Sequence, residues 1–302
     1  MFRTLVITRY TFLEATLQPI YGFLLAFGGA ILILFSLLPF FAFGEDTKMY
    51  ISVALDVILI VVLLASLFAA SKSIYDEIED RTMLTLMSKP VRRWEVMLGK
   101  YFGIILAAAL GVAILGTIVL LGTWFRIPYD YMLNASTLND IVGKRIWDTR
   151  LMHISGLVPQ LILTWLQVSV LVAVSVALST RFSLVVNLPA VLLIYFAGNL
   201  TRFLFPIDSG PLADKPAYVK GFAWAVSLVL PYLESFDLRK WTVLSNIRVA
   251  STAFAADSRG VYLSDIYDGV GRAALYAAAY VAFALCAGLL SFQTRELGGG
   301  ES

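Results

Sequence analysis

The chain of 302 residues holds one cysteine, Cys286, and one histidine, His153. A single thiol excludes an internal disulfide framework and a cysteine metal site, and a single imidazole excludes multi-histidine metal chemistry. Charge is scarce as well: Asp, Glu, Lys and Arg make up 15% of the residues, against about 25% in ordinary soluble domains. The net charge of +2 supplies no basic field for nucleic acid. No Gly-x-x-x-x-Gly-Lys-Ser/Thr phosphate loop occurs, because the pairs Gly99-Lys100 and Gly143-Lys144 lack the earlier glycine. His-Glu-x-x-His and Gly-x-Ser-x-Gly are missing too, so neither metalloprotease nor nucleophile-elbow chemistry is expected. The run Gly269-Val270-Gly271-Arg272-Ala273-Ala274 matches a dinucleotide fingerprint in letters only, since it opens an apolar stretch with no strand before it. His153 stands alone and reads as an interfacial residue.

What the chain has in excess is apolar surface. Hydrophobic residues reach 59% and the mean hydropathy is +0.82, where soluble domains run at about 45–50% apolar. An integral membrane protein is expected. A bilayer core about 30 Å thick needs about 20 mostly apolar helical residues. Stretches 20–43, 51–70, 101–123, 156–179 and 184–205 qualify, and 270–292 qualifies with Arg272 near its start, free to snorkel. The fold expected is therefore all-α, one transmembrane domain over 1–302 with six spans. The shorter apolar run 221–233 reads as interfacial or re-entrant, and two long segments, 124–155 and 206–269, lie on the outer side.

Placing both termini in the cytoplasm puts ten of the 23 Lys and Arg inside, and most of the rest in the long segment after span five. Long translocated loops weigh little in the positive-inside rule. Residues 1–19 lack the apolar core and cleavage site of a signal peptide. Phe2, Leu5, Val6, Leu13 and Leu17 recur at helical spacing, so an amphipathic helix is expected at the inner surface until the chain turns at Pro19.

Polar residues inside spans are costly and draw functional hypotheses by default. Asp56 in span two and Asn199 in span five are candidates to line a pathway or a closed gate, with interhelical hydrogen bonding as the alternative. That alternative is favoured for both asparagines, Asn187 and Asn199. Gly99 and Gly103, four apart at the start of span three, permit close helix approach.

The segment 71–100 between spans two and three is the most patterned. Asp76, Glu77, Glu79 and Asp80 crowd its first turns, where a helix macrodipole favours acids. Pro90 interrupts the helix and suits the first turn of the next. Arg92, Arg93 and Trp94 form a basic-aromatic entry into span three. The order Glu77-Ile78-Glu79, Thr82, Leu86, Ser88-Lys89-Pro90-Val91, Arg93-Trp94-Glu95 and Gly99-Lys100 resembles the ABC-2 type transporter permeases. It is most similar to their six-span subgroup associated with multi-copper enzyme maturation. Two further stretches fit the resemblance, Leu230-Pro231-Tyr232-Leu233-Glu234-Ser235-Phe236-Asp237 and Phe292-Gln293-Thr294-Arg295-Glu296-Leu297. Arg81 stands where the family usually has glycine, which favours continuous helix there.

The resemblance implies a permease subunit of an exporter, with segment 71–100 as a coupling helix seated on a separate ATP-binding subunit. Glu77, Glu79, Arg81, Pro90, Arg92 and Arg93 would make the coupling contacts, and Lys89, Gly99 and Lys100 would position the entry to span three. No cofactor is expected on this chain; ATP and Mg belong to the partner subunit. A second copy of the permease, the lipid bilayer and an extracytoplasmic accessory protein complete the implied partners, in the plasma (inner) membrane of a bacterium. The rival reading is a non-transporting scaffold or force-transmitting assembly factor for an outer partner.

Overall fold

The computed structural model describes residues 2–38, 46–76, 92–134, 140–204, 216, 219–221, 230–243, 247–248 and 261–293. Helix α1 (Phe2–Leu17) is followed at once by α2 (Pro19–Leu37). Gln18 between them is extended, with φ −62° and ψ 128°, and Pro19 opens α2 in its first turn, where its missing N–H costs nothing. The turn at Pro19 is thus where the sequence puts it. Helix α3 (Asp46–Ser71) ends in a π-helical turn, Lys72–Asp76. Helices α4 (Arg93–Asn134) and α5 (Asp140–Ser179) are the longest, and α6 (Leu184–Leu204) and α7 (Leu263–Gln293) complete the bundle. Between α6 and α7 lie a 3-10 turn (Leu233–Phe236), a helical turn (Arg239–Thr242) and a two-residue parallel pairing of β1 (Ile247–Arg248) with β2 (Val261–Tyr262).

Among the described residues, five helices are long and apolar enough to cross a membrane: α2, α3 with its π turn, α4, α5 and α7. The expected fifth span forms α6, whose apolar part, Leu184–Leu200, is shorter. Helices α3, α4 and α5 are the centre, with 61%, 50% and 61% of their apolar windows buried; α2 and α7, at 22% and 28%, form the flanks. Leu55, Ile58, Leu67, Ile104, Leu115 and Leu157 pack this centre with no exposed surface. The starts of α1, α4 and α6 and the ends of α3, α5 and α7 share one end of the bundle, the near end. Helix α2 starts further along, where the Tyr21 hydroxyl donates to the Ala107 carbonyl.

The stretch 124–155 is more helical than a loop reading suggests. Helix α4 runs on to Asn134 and α5 starts at Asp140. The two extensions clasp: Trp124 and Trp147 meet edge to face at 5.4 Å, and the Arg150 guanidinium sits 4.4 Å over the Trp124 ring. Stacking and cation–π attraction join the two extensions.

Helix α1 is amphipathic in an inverted sense. Thr8, Thr11 and Ala15 are buried, while Leu5, Val6, Tyr10, Leu13 and Leu17 are exposed. The buried stripe lies on α4 at Gly99 and Gly103: a Cβ on Gly99 would meet Ile7 at 2.7 Å, and one on Gly103 would meet the Thr8 carbonyl at 2.8 Å. Thr8 satisfies its own hydroxyl by donating to the Thr4 carbonyl at 2.9 Å. A small polar stripe can therefore face bare backbone while the apolar face looks outward, as lipid contact requires.

Candidate functional site

At the near end, side chains tie together the helix termini that flank segment 77–91. Lys100, only 3% exposed, donates to both the backbone carbonyl and the hydroxyl of Ser73, the latter at 2.9 Å. The π turn supplies that carbonyl, so the exit of α3 is bolted to the entry of α4. Arg92 precedes α4 as its cap, and Glu95 reaches back to accept from the Arg92 N–H at 3.0 Å, one half of a capping box. Arg93 donates to the Phe292 carbonyl at 2.9 Å and stacks 5.4 Å from that ring. Arg181, in the turn after α5, donates to the Ser291 hydroxyl at 2.9 Å and carbonyl at 3.2 Å. The last turn of α7 thus receives two cations, as the negative end of a helix dipole favours.

Asn187 completes the near end. It is fully buried, and its amide lies 2.6, 2.8 and 2.9 Å from the hydroxyls of Ser71, Ser175 and Ser179. One side chain of α6 therefore knots α3 and α5, which is the interhelical hydrogen-bonding reading of this asparagine.

Of the residues singled out on the sequence for coupling or span-three entry, Glu77, Glu79, Arg81, Lys89 and Pro90 lie outside the described residues. Arg92 is exposed, Arg93 is half-buried against α7, and Gly99 and Lys100 are buried. Gly99 serves α1 packing, and Lys100 the α3–α4 tie.

At the far end, segment 230–243 inserts among four helices. Phe236 and Leu233 are buried. The Phe236 carbonyl accepts from Gln160 on α5 at 3.1 Å, and the Tyr232 N–H donates to the Tyr276 hydroxyl on α7 at 2.7 Å. A Cβ on Gly198 of α6 would meet the Pro231 carbonyl at 2.9 Å, so that approach requires glycine. The apolar run 221–233, expected to be interfacial or re-entrant, lies mostly outside the described residues; of its last part, Pro231 and Leu233 are buried against the bundle.

Arg239 carries the contact with α3. Its guanidinium donates to Asp56 at 2.6 Å and to the Ser52 carbonyl at 3.3 Å, with Asp237 at 3.6 Å. Asp56 lies nine residues past Thr47, where the apolar window opens, or about 13 Å along the helix at about 1.5 Å per residue. Its side chain is 53% exposed, against 20% for Arg239. Burial opposes the Arg239 charge, but the Asp56 hydrogen bond and the Asp56 and Asp237 charges outweigh it, leaving the guanidinium more basic than usual. Tyr195 stands in the field of both Asp56 and Arg239. Asn199 donates to the Tyr195 carbonyl at 3.0 Å. Of the two residues nominated from sequence, Asp56 pairs with Arg239 and Asn199 bonds back onto its own helix, so neither bond brings them together. Arg239 was missed; its only signal was its place just after the Phe236-Asp237 pair. Nearby, burial and the Glu234 carboxylate, 2.8 Å away, push the Tyr232 hydroxyl up to about 12.

Arg126 ties the far end of α2. Its guanidinium donates to the carbonyls of Phe35, Ser36 and Leu38 at 3.2, 3.1 and 3.0 Å and lies 5.5 Å over the Tyr50 ring. Among the described residues, no group of three or more His, Cys, Asp or Glu side chains is placed to share a metal ion.

No curated protein matches the chain. The family described as ABC-2 family transporter protein does match, over residues 33–297, a span that takes in both the near-end ties and the far-end cluster. Several apolar helices of spanning length, a patterned segment between the second and third of them, and this match over most of the sequence agree: the chain is a multi-pass membrane protein and belongs to the ABC-2 transporter permease family.

Proposed function

We propose that the chain is the membrane subunit of an ABC-2 exporter, paired with a second copy and driven by a separate ATP-binding subunit that holds ATP and Mg. The near end would face the cytoplasm of a bacterium, with both termini there and the bilayer being the plasma membrane. The observation that carries this reading is the Lys100–Ser73 tie. Segment 77–91 leaves α3 and returns as α4, and Lys100 joins its two ends. A push on that segment then moves α3 and α4 together, instead of being absorbed by a loose connection. Through Arg93 and Phe292 the same push reaches α7.

On this reading Glu77, Glu79, Arg81, Pro90 and Arg92 meet the ATP-binding subunit, while Lys89, Gly99 and Lys100 hold the entry of α4. Arg93 couples as a strut to α7. Asp56 and Asn199 line the pathway at a closed outer gate. A carboxylate about a third of the way along an apolar helix and half exposed avoids a hydrocarbon environment, and a water-filled path between two copies meets that requirement. The exposed far-end segments would seat an accessory protein.

The test is co-purification of the tagged full chain in mild detergent. A stoichiometric ATPase is expected, lost in R92E while the fold persists. A chain that purifies without any ATPase under several gentle conditions would overturn the coupling reading and promote the scaffold alternative.

A further inference from the structure

We infer that the groove between α1, α4, α5 and α7 is a binding site for an anionic phospholipid, with an acyl chain in the groove and the phosphate at the near end. The groove encloses about 990 Å³, the upper end of the range of about 300–1,000 Å³ typical of small-molecule sites. Its α4 wall runs from Trp94 to Leu106, twelve residue steps or about 18 Å at about 1.5 Å each. That length approximates one leaflet, half of a hydrocarbon core about 30 Å thick. Four of the six α7 lining residues are alanines, Ala274, Ala277, Ala278 and Ala282, with Val281 and Leu285 between and beyond them; the short side chains widen the slot on that side.

Most polar side chains of the lining are already engaged within the protein, the Tyr101 hydroxyl among them, donating to the Ser169 carbonyl at 3.3 Å. The Trp165 indole donates to the Ile105 carbonyl at 3.2 Å, the Thr8 hydroxyl to Thr4, and the Ser169 hydroxyl to Leu166 at 2.7 Å. An occupant is therefore offered almost nothing but hydrocarbon surface, which selects an acyl chain over a polar solute. At the near end the chemistry changes. Trp94 lines the groove there and is partly exposed, the position indoles favour at headgroup depth. Exposed Arg92 lies two residues away, and Arg93 and Arg181 gather at the last turn of α7, across the seam from α4. None of the three lines the groove itself, and Arg93 and Arg181 are engaged at Phe292 and Ser291. A basic end next to an apolar slot of about one-leaflet length still complements a phosphate attached to an acyl chain, with exposed Arg92 as its reachable cation. This inference needs no coupling, but it shares Arg92 with the ATPase reading; quenching by lipid in the absence of any ATPase tests it, and co-purification tests the other.

The test uses the full chain in vesicles of phosphatidylglycerol or phosphatidylcholine whose acyl chains carry bromine, which quenches a touching indole. The emission assigned to Trp94 and Trp165, by difference from W94F/W165F, is expected to be quenched at least ~3-fold more by the anionic lipid. R92Q should narrow that preference, and A278F/A282F, which fills the slot, should abolish it. Equal quenching by both lipids in the unaltered chain overturns the proposal, whether or not the filled variant folds. So does an oxidative cross-link between copies of A278C in a C286S background, which would show that a second copy covers the groove.

Discussion

Asp56 and Arg239 form the contact whose removal has the sharpest expected signature. D56N leaves the Arg239 guanidinium beside a neutral amide, and R239Q leaves Asp56 without its cation deep along α3. A double-mutant cycle read by unfolding in detergent should give a coupling energy near the lower end of about 0.5–3 kcal/mol. The lower end applies because Asp56 is half exposed and screening discounts such pairs. A coupling indistinguishable from zero would mean that the pair does not hold segment 230–243 in place. Tyr232 gives a second handle. Its hydroxyl rises from an ordinary 10 to about 12 in the fold, so the protonated form is the one the folded state favours. Its contribution is complete below about pH 10 and is lost as pH rises toward 12. Y232F should remove that part of the alkaline loss, measured as the difference between the two proteins in thermal stability across pH 9 to pH 12. Arg239 is not adjacent in sequence to the span it contacts. Asp56 and Arg239 are 183 residues apart, and nothing in chain spacing announces such a meeting.

Among the elements, α1 was legible as a helix and as amphipathic, yet which of its faces would be buried was not. Leu5, Val6, Leu13 and Leu17 look like a core stripe to an eye trained on soluble proteins; in lipid the apolar stripe turns outward. The clue was in α4, where Gly99 and Gly103 leave bare backbone for a neighbour. The two glycines differ in what an added methyl meets. At Gly103 it would strike the Thr8 carbonyl at 2.8 Å and the Phe12 nitrogen at 3.0 Å, whereas at Gly99 the nearest obstacle is the Ile7 side chain. Backbone does not yield as a side chain does. G103A is therefore expected to cost about 1–3 kcal/mol and to expose α1 to proteolysis, with G99A the milder of the two. The reverse order would show that α1 does not seat on α4 as described. Helices α2 to α5 and α7 were read from apolar runs of the right length, because the bilayer imposes that length directly. The helical continuations beyond the bilayer, 124–134 and 140–155, were not, since the Trp124–Trp147–Arg150 clasp depends on two strands of sequence meeting.

For the whole molecule, orientation is the property most in need of measurement, since the charge count between the two sides is nearly balanced. In a C286S background, R92C should react with a membrane-impermeant maleimide only from the cytoplasmic side, and K240C only from the opposite side. Labelling of both from one side would break the antiparallel arrangement of the spans. The all-helical membrane class and the apolar runs that become the long helices were readable in the sequence, because composition and periodicity carry them. The ties that lock the ends were not, for a chemical reason. Lys100, Arg93, Arg126, Arg181 and Arg239 each donate to a main-chain carbonyl: of Ser73, of Phe292, of Phe35, Ser36 and Leu38, of Ser291, and of Ser52. Every residue offers that acceptor, so the receiving position has no letter of its own. A saturation scan of the chain should accordingly be lopsided. Phe35, Ser36, Leu38 and Ser52 should accept many replacements that keep the helix, while Arg126 and Arg239, which reach them, should accept few. Two homologous chains could then drift far apart along one side of each tie and still close it the same way.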